Sequence, residues 1–186
     1  MNAKKSNIKD FLSNIIFITG GTKSGKSEFA EHLAKEIKEL SYVALSEKNI
    51  DDKEWQEKIN LHQKRRPKDW KLIETTDLLN TLSKEDGPLL IDSIGGFVME
   101  SIGKEHNEWS TMMNLLTSLL MKRKSLTFIV GEQVGWSLVS EYKIGNTYIE
   151  RIGELQKRIT KISKDNWLAI NGRAIKIDEI SIEIPT

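Results

Sequence analysis

A run of residues near the start of the chain has the types and the spacing of a phosphate-binding loop, G-x-x-x-x-G-K-[ST]. Its members are Gly20, Gly21, Thr22, Lys23, Ser24, Gly25, Lys26 and Ser27. Glycines tolerate positive φ, so successive backbone N–H groups can surround phosphate oxygens at the N-terminus of a helix. In such a loop Lys26 reaches the β- and γ-phosphates, and the Ser27 hydroxyl binds Mg²⁺.

The flanks that this motif requires are also present. The apolar run Ile15–Ile18 precedes the loop, and a helical pattern follows it. We therefore predict a nucleoside triphosphate site in which Lys26 is catalytic. A glycine-rich turn that fits the pattern by chance is the alternative.

A carboxylate follows a second apolar run, Pro88–Ile91, at Asp92. Phosphate-loop enzymes hold Mg²⁺ between the loop hydroxyl and an acidic residue at the end of a neighbouring strand. We predict that Ser27 and Asp92 are the metal ligands. Asp is also a favoured N-cap residue, so the alternative is that Asp92 caps the next helix.

The chain has three histidines, and His62 differs from the other two in its setting. His32, in the helix after the loop, and His106, in a polar stretch, are expected to face solvent or to pack. His62 lies in the last turn of a predicted helix in which Trp55 and Ile59 share its face.

Polar and cationic residues follow His62 at once, namely Gln63, Lys64, Arg65 and Arg66. Such a cluster could hold the phosphates of a nucleotide while a neutral imidazole nitrogen attacks one of them. The other interpretation is that His62 packs against its apolar neighbours and the cations form a solvated helix end. The residue pattern leaves both open.

Short apolar runs alternate with longer segments of helical periodicity, which is typical of a mostly parallel α/β sheet. The predicted strands are Ile15–Thr19, Tyr42–Leu45, Leu89–Ile91, Leu126–Val130 and Trp167–Ile170. The predicted helices run from about Gly25 to Leu40, Asp51 to Arg65, Thr76 to Ser83, Glu108 to Lys122 and Tyr148 to Ser163. Asn171-Gly172 predicts a hairpin that adds Ala174–Asp178 as an antiparallel strand.

The composition excludes several classes of protein. Among 186 residues, 28 Lys and Arg against 27 Asp and Glu leave a formal charge of +1, so no global field would draw the chain to nucleic acid or a membrane surface. With no Cys, disulfides, Cys-ligated metals and thiol catalysis are excluded. We expect a cytoplasmic protein with a polar extension over 1–13 and a single nucleotide-binding domain over 14–186.

With these residues located, the sequence resembles the bifunctional adenosylcobinamide kinase / adenosylcobinamide-phosphate guanylyltransferase family of cobalamin biosynthesis. The likeness runs from about Ile15 to about Asp178 and starts with the phosphate loop and the strand residues Tyr42-Val43-Ala44. A more specific block follows, with matches at Asp51-Asp52, Lys58-Ile59, His62, Arg66-Pro67, Trp70 and Glu74.

The resemblance implies a RecA-like P-loop fold, a homotrimer, and a histidine, here His62, that takes GMP from GTP as a phosphoramidate. The implied substrates are GTP, ATP and a cobinamide corrinoid, with Mg²⁺. By resemblance, residues beyond the phosphate loop also line the nucleotide site. They are Leu45, Ser46, Glu47, Gln63, Lys64, Arg65, Arg66, Glu74 and Asp92.

The C-terminal half departs from the family pattern. The family loop Asn-Glu-Val-Gly-x-Gly-x-Val-Pro appears here as Glu132-Gln133-Val134-Gly135-Trp136-Ser137-Leu138-Val139-Ser140. A monofunctional guanylyltransferase or kinase, or a GTP-binding module without turnover, are therefore alternatives. Trp109, Met112, Met113 and Leu116 form either a subunit contact or part of the core.

Overall fold

The computed structural model describes residues 13–45, 66–136 and 140–185, in which strands and helices alternate. The strands are β1 (Ile15–Gly20), β2 (Ser41–Ala44), β3 (Lys71–Glu74), β4 (Leu89–Asp92), β5 (Thr127–Glu132), β6 (Asp165–Ile170) and β7 (Arg173–Lys176). The helices are α1 (Lys26–Ala34), α2 (Leu78–Lys84), α3 (Gly95–Glu100), α4 (His106–Lys122), α5 (Lys143–Ile162) and α6 (Ile177–Ile180).

The strands form one seven-stranded sheet in the order β3-β2-β4-β5-β1-β6-β7. Every neighbouring pair is parallel except β6 and β7, which are antiparallel. In register, Gly20 at the end of β1 lies opposite Glu132 of β5 and Ala169 of β6. The carboxyl ends of the parallel strands therefore meet at one edge of the sheet, where the phosphate loop begins.

Apolar side chains cover both faces of the sheet. On one face, α2, α3, α4 and α5 bury a core that includes Leu82, Phe97, Trp109 and Leu155. On the other face α1 packs against a smaller core that includes Ile18 and Phe128. This arrangement confirms the predicted RecA-like P-loop fold, a mostly parallel sheet flanked by helices with an antiparallel C-terminal edge strand.

The structure settles an open point about four side chains on α4. Trp109, Met113 and Leu116 are buried, and Met112 packs against the same core, so the interpretation as core residues is confirmed. The indole Nε1 of Trp109 donates a hydrogen bond of 2.8 Å to Glu154.

In the described ranges no helix is both long and apolar enough to cross a bilayer.

Some element boundaries differ from the prediction. Helix α1 ends at Ala34 and not near Leu40, and Glu39 in the following turn has a φ of 54°, which a helix does not allow. Helix α5 begins at Lys143, ahead of the predicted Tyr148. Strand β3 and helix α3 were not predicted, because β3 is a short, partly exposed edge strand and α3 starts with two glycines.

The C-terminal hairpin is confirmed, but its second strand is shorter than predicted. Asn171 and Gly172 both have positive φ, as a two-residue hairpin turn requires. Strand β7 ends at Lys176, and Asp178 lies in the short helix α6. The Asp178 carboxylate accepts a hydrogen bond of 2.7 Å from the Asn166 backbone N–H, which connects this short helix to β6.

Candidate nucleotide site

The phosphate loop connects β1 to α1 at the edge where the parallel strands end. Gly20 packs so closely on β6 that an added Cβ would lie 2.5 Å from the Ala169 carbonyl oxygen. Gly25, the residue before α1, has a φ of 92°, a conformation that side chains rarely adopt. Both glycines of the sequence motif are therefore required by the geometry of the loop.

The remaining loop residues differ in exposure. Thr22 and Lys23 are exposed and Gly21 is half-buried, whereas Ser24 is 7% exposed. The Ser24 carbonyl oxygen accepts a hydrogen bond of 3.1 Å from the Gly172 backbone N–H of the C-terminal hairpin. The hairpin thus holds the loop from the side of β6.

Lys26 and the first turn of α1 present positive charge to this loop. The Lys26 Nζ atom donates to the Gly21 carbonyl oxygen at 3.3 Å, so the side chain folds back across the loop. The first backbone N–H groups of a helix have no partner inside the helix. Together with the helix dipole they form an anion site, which an ammonium group completes.

Ser27 and Asp92 meet as the sequence predicts. The Ser27 Oγ atom donates to Asp92 Oδ1 at 3.2 Å, and the Tyr42 hydroxyl donates to Asp92 Oδ2. The alternative role of Asp92 is not seen, because α3 has Ile94 as its N-cap residue and no side-chain cap. Burial, with the negative charge of Asp92 second, raises the pKa of Tyr42 far above its usual value, so this hydroxyl stays a donor at neutral pH.

The donor set of this pair suits magnesium. Mg²⁺ prefers oxygen ligands and is usually bound by one or two side chains together with substrate phosphates and water. Ser27 and Asp92 supply such oxygens beside the phosphate loop. Within the described residues no cluster of three or more His, Cys, Asp or Glu side chains offers a metal site made of protein ligands alone.

Arg66 is the one member of the cationic cluster within the described residues, and it lies against α1. Its Nε atom is 3.6 Å from Glu31 Oε1, and the two side chains are 11% and 8% exposed. The guanidinium carbon lies 3.3 Å from the centroid of the Tyr42 ring. Arg66 thus contacts Tyr42, one of the two residues that donate to Asp92.

Of the other predicted site residues, two lie within the described part of the chain and six lie outside it. Leu45 is 8% exposed and packs in the core beside α3, whereas Glu74 ends β3 at the same sheet edge, opposite Ala44. His62 and five predicted nucleotide-binding residues lie outside the described residues. Those five are Ser46, Glu47, Gln63, Lys64 and Arg65.

Sequence reasoning did not assign Glu132 to the site, although it is a further carboxylate at this edge. Glu132 ends β5, the strand between those of the phosphate loop and Asp92. Its carboxylate accepts hydrogen bonds from the Ser93 hydroxyl and, at 3.2 Å, from the Gly95 backbone N–H. Burial and then the charge of Glu132 raise the pKa of Tyr148. A usable signal was present, since Glu132 ends an apolar run as Asp92 does.

Comparison with solved structures shows a likeness of fold. The Pyrococcus horikoshii OT3 protein of Project ID PH0250 aligns with a TM-score of 0.53 and 8% identity, over 96% of this chain and 95% of that one. The P4 protein of bacteriophage phi6, solved in complex with ADP, aligns with a TM-score of 0.43 and 13% identity. That alignment covers 86% of this chain but only 52% of the P4 chain.

Comparison of sequences goes further. Proteins named bifunctional adenosylcobalamin biosynthesis protein CobU match from Escherichia coli (strain K12), at 24% identity, and from Salmonella typhimurium, at 25%. Each alignment spans 181 residues, 88% of this chain and 99% of the relative. The family model for cobinamide kinase / cobinamide phosphate guanyltransferase matches residues 16–177. The phosphate loop and Asp92 are arranged as described, and the family model matches most of the length of this chain. The chain therefore belongs to the cobinamide kinase / cobinamide phosphate guanyltransferase family.

Proposed function

We propose that this protein carries out two transfers on a cobinamide corrinoid. It phosphorylates the aminopropanol hydroxyl of adenosylcobinamide, and it then moves GMP from GTP to adenosylcobinamide phosphate through a guanylyl group on His62. The observation that carries the proposal is the triphosphate-binding geometry of Lys26, Ser27 and Asp92 in a chain of this family.

In the first transfer the oxygen of the corrinoid hydroxyl bonds to the γ-phosphorus and gives its proton to water. The bond between this phosphorus and the β,γ-bridging oxygen breaks, and the nucleoside diphosphate leaves. The charge spreads over the γ-phosphoryl oxygens, where the loop N–H groups and the Lys26 ammonium stabilise it. Ser27 and Asp92 would hold Mg²⁺, which supplies neutralising charge to the phosphates. These groups are already positioned by β1, α1 and β4, so little reorganisation accompanies the reaction.

In the second transfer a neutral imidazole nitrogen of His62 attacks the α-phosphorus of GTP and pyrophosphate leaves. A phosphate oxygen of adenosylcobinamide phosphate then attacks the same phosphorus, which breaks the P–N bond and frees His62. Dividing the displacement into two in-line steps is the usual advantage of covalent catalysis. Family membership supports the role of His62, and the cationic residues that follow it suit a polyphosphate.

The direct test is labelling with GTP that carries ³²P at the α-phosphate, in Mg²⁺, followed by denaturation. We expect acid-labile, alkali-stable label on the wild-type protein and none on His62→Ala. The matched controls are His32→Ala and His106→Ala, because both side chains are exposed, and they should label as wild type does. Unchanged labelling of His62→Ala would refute the histidine intermediate.

A monofunctional enzyme is the second candidate, and Glu132 favours it. At this position, beside the phosphate loop, the family pattern has Asn, so a negative charge replaces a neutral amide. Assays of cobinamide phosphorylation and of cobinamide phosphate guanylylation, run separately, distinguish the two candidates. Activity in one assay alone would establish a monofunctional enzyme.

A further inference from the structure

Five side chains near the phosphate loop form a closed ring of contacts. Their order is Ser27, Asp92, Tyr42, Arg66 and Glu31. The ring closes through α1 itself, because Ser27 and Glu31 are four residues apart and lie on one face of the helix. Two hydrogen bonds, one cation–π contact and one ion pair thus connect α1, β4, β2 and the chain at residue 66.

Tyr42 decides how the Asp92 carboxylate is oriented. Its hydroxyl donates to Oδ2, whereas Oδ1 accepts from Ser27. A carboxylate at a strand end can rotate about its side-chain bonds, and a donor on one oxygen fixes the direction of the other. The oxygen that faces the phosphate loop is therefore set by a residue on a different strand.

Arg66 and Glu31 hold the Tyr42 ring in turn. The ring is 2% exposed, and the guanidinium lies over its face at 3.3 Å, within the range of a strong cation–π contact. Glu31 pairs with Arg66 from α1, so a shift of this helix would move both the ion pair and Ser27. Since both side chains are nearly buried, removing Glu31 would take away the carboxylate that faces the Arg66 guanidinium, at a cost in stability.

We propose that Tyr42, Arg66 and Glu31 form a clamp that positions the Asp92 carboxylate for the magnesium-bound triphosphate. The three are positioning residues, because each acts through Asp92. The inference extends the proposed nucleotide site, but it depends neither on His62 nor on the identity of the acceptor.

The test is the affinity for a non-hydrolysable GTP analogue, measured by calorimetry in Mg²⁺ and in EDTA. Tyr42→Phe keeps the ring under Arg66 and removes only the hydroxyl. We expect affinity in Mg²⁺ to fall about tenfold, the order expected for one hydrogen bond to a charged group, with affinity in EDTA changed less than about twofold. Tyr142→Phe is the matched control, since that ring is 76% exposed, and it should behave as wild type.

A second pair of variants tests the outer half of the clamp. Arg66→Met should show the same selective loss of affinity for the GTP analogue in Mg²⁺. If this single variant folds poorly, the double variant Arg66→Met with Glu31→Gln replaces it, because it removes both charges. The loss of affinity in this double variant should be smaller than the sum of the losses in Arg66→Met and in Glu31→Gln alone, because the two residues act through one contact. Thermal unfolding without ligand shows whether each variant is folded.

Two outcomes would overturn the clamp. One is that Tyr42→Phe binds the GTP analogue in Mg²⁺ as tightly as wild type does. The other is an equal loss of affinity for the analogue in Mg²⁺ and in EDTA, which a general loss of structure would produce. The assay uses neither corrinoid nor guanylylation. A failed labelling experiment at His62 therefore leaves this inference standing, and a failed clamp leaves the transfer reactions standing.

Discussion

At the scale of single residues, the candidate chemistry depends on a few polar atoms at one edge of the sheet. The Lys26 ammonium lies 3.3 Å from a loop carbonyl, and the Ser27 hydroxyl lies 3.2 Å from Asp92. A triphosphate would replace the loop carbonyl as the partner of Lys26, because phosphate is the stronger acceptor for a charged donor. The Lys26 and Ser27 side chains thus already lie at the loop that would receive the phosphates.

Lys26→Ala tests the ammonium directly. We expect the rate of γ-phosphoryl transfer to fall at least about 100-fold, the usual cost of removing a donor from a developing charge. The measurement is transfer of γ-³²P from the nucleotide to cobinamide. Lys35→Ala, beyond the end of α1 and 55% exposed at its side chain, should retain wild-type transfer. Wild-type rates in Lys26→Ala would refute a catalytic role for this residue.

At the scale of elements, the sheet order brings distant strand ends together. Strand β5 lies between β1 and β4, so Glu132 stands between the phosphate loop and Asp92. On one face of the sheet, Arg151 connects α5 with the turn between α3 and α4. Its guanidinium donates to the Ser101 carbonyl, to the Lys104 carbonyl at 2.5 Å, and lies 5.5 Å from the Trp109 ring.

Arg151→Met should therefore destabilise the packing of α5 on the turn after α3. The buried Ser101 carbonyl and the half-buried Lys104 carbonyl lose a charged donor, and we expect the free energy of unfolding to fall by about 2–3 kcal/mol. Urea denaturation followed by tryptophan fluorescence measures the change. Arg158→Met on the same helix, where the guanidinium bonds to Asn114 in an exposed contact, should cost less than about 1 kcal/mol. Equal losses in the two variants would contradict the role of Arg151.

At the scale of the whole molecule, the two cores hold the sheet, and polar contacts tie its outer edge to the rest. Glu85, at the C-terminal end of α2, accepts hydrogen bonds from Lys71 at 2.7 Å and from Ser41 at 3.3 Å. It thereby connects β3, the outermost strand, with β2. The Lys71 hydrogen bond, as the largest cause, lowers the pKa of Glu85 below its usual 4.5.

This shift predicts how stability depends on pH. A carboxyl group with a lower pKa in the folded than in the unfolded state stabilises the fold above its unfolded pKa, and this contribution is lost as pH falls through the folded pKa. Glu85→Gln should thus lose stability at pH 7 but show a smaller further loss from pH 5 to pH 3 than wild type. Urea unfolding at several pH values is the measurement. An equal loss of stability from pH 5 to pH 3 in Glu85→Gln and in wild type would contradict the contribution assigned to Glu85.

The sequence by itself determined the local features of this protein. The phosphate loop is a contiguous motif, and the buried strands are contiguous apolar runs, so their positions follow from neighbouring residues. The placement of Asp92 beside Ser27 was also predictable, because the carboxyl ends of parallel strands meet at one edge of the sheet. The short helix α3 and the edge strand β3 escaped prediction because tertiary packing, and not local propensity, stabilises them.

Beyond Ser27 and Asp92, only the tertiary structure decided which distant side chains meet. Tyr42 and Asp92 are 50 residues apart and Ser93 and Glu132 are 39 apart, and no periodicity encodes such pairs. The sequence predicts that Arg66 binds the nucleotide, and only the tertiary structure shows that its side chain pairs with Glu31 and lies over Tyr42. The physical reason is that a nearly buried charge needs a partner, and the order and packing of strands and helices determine which partner is within reach.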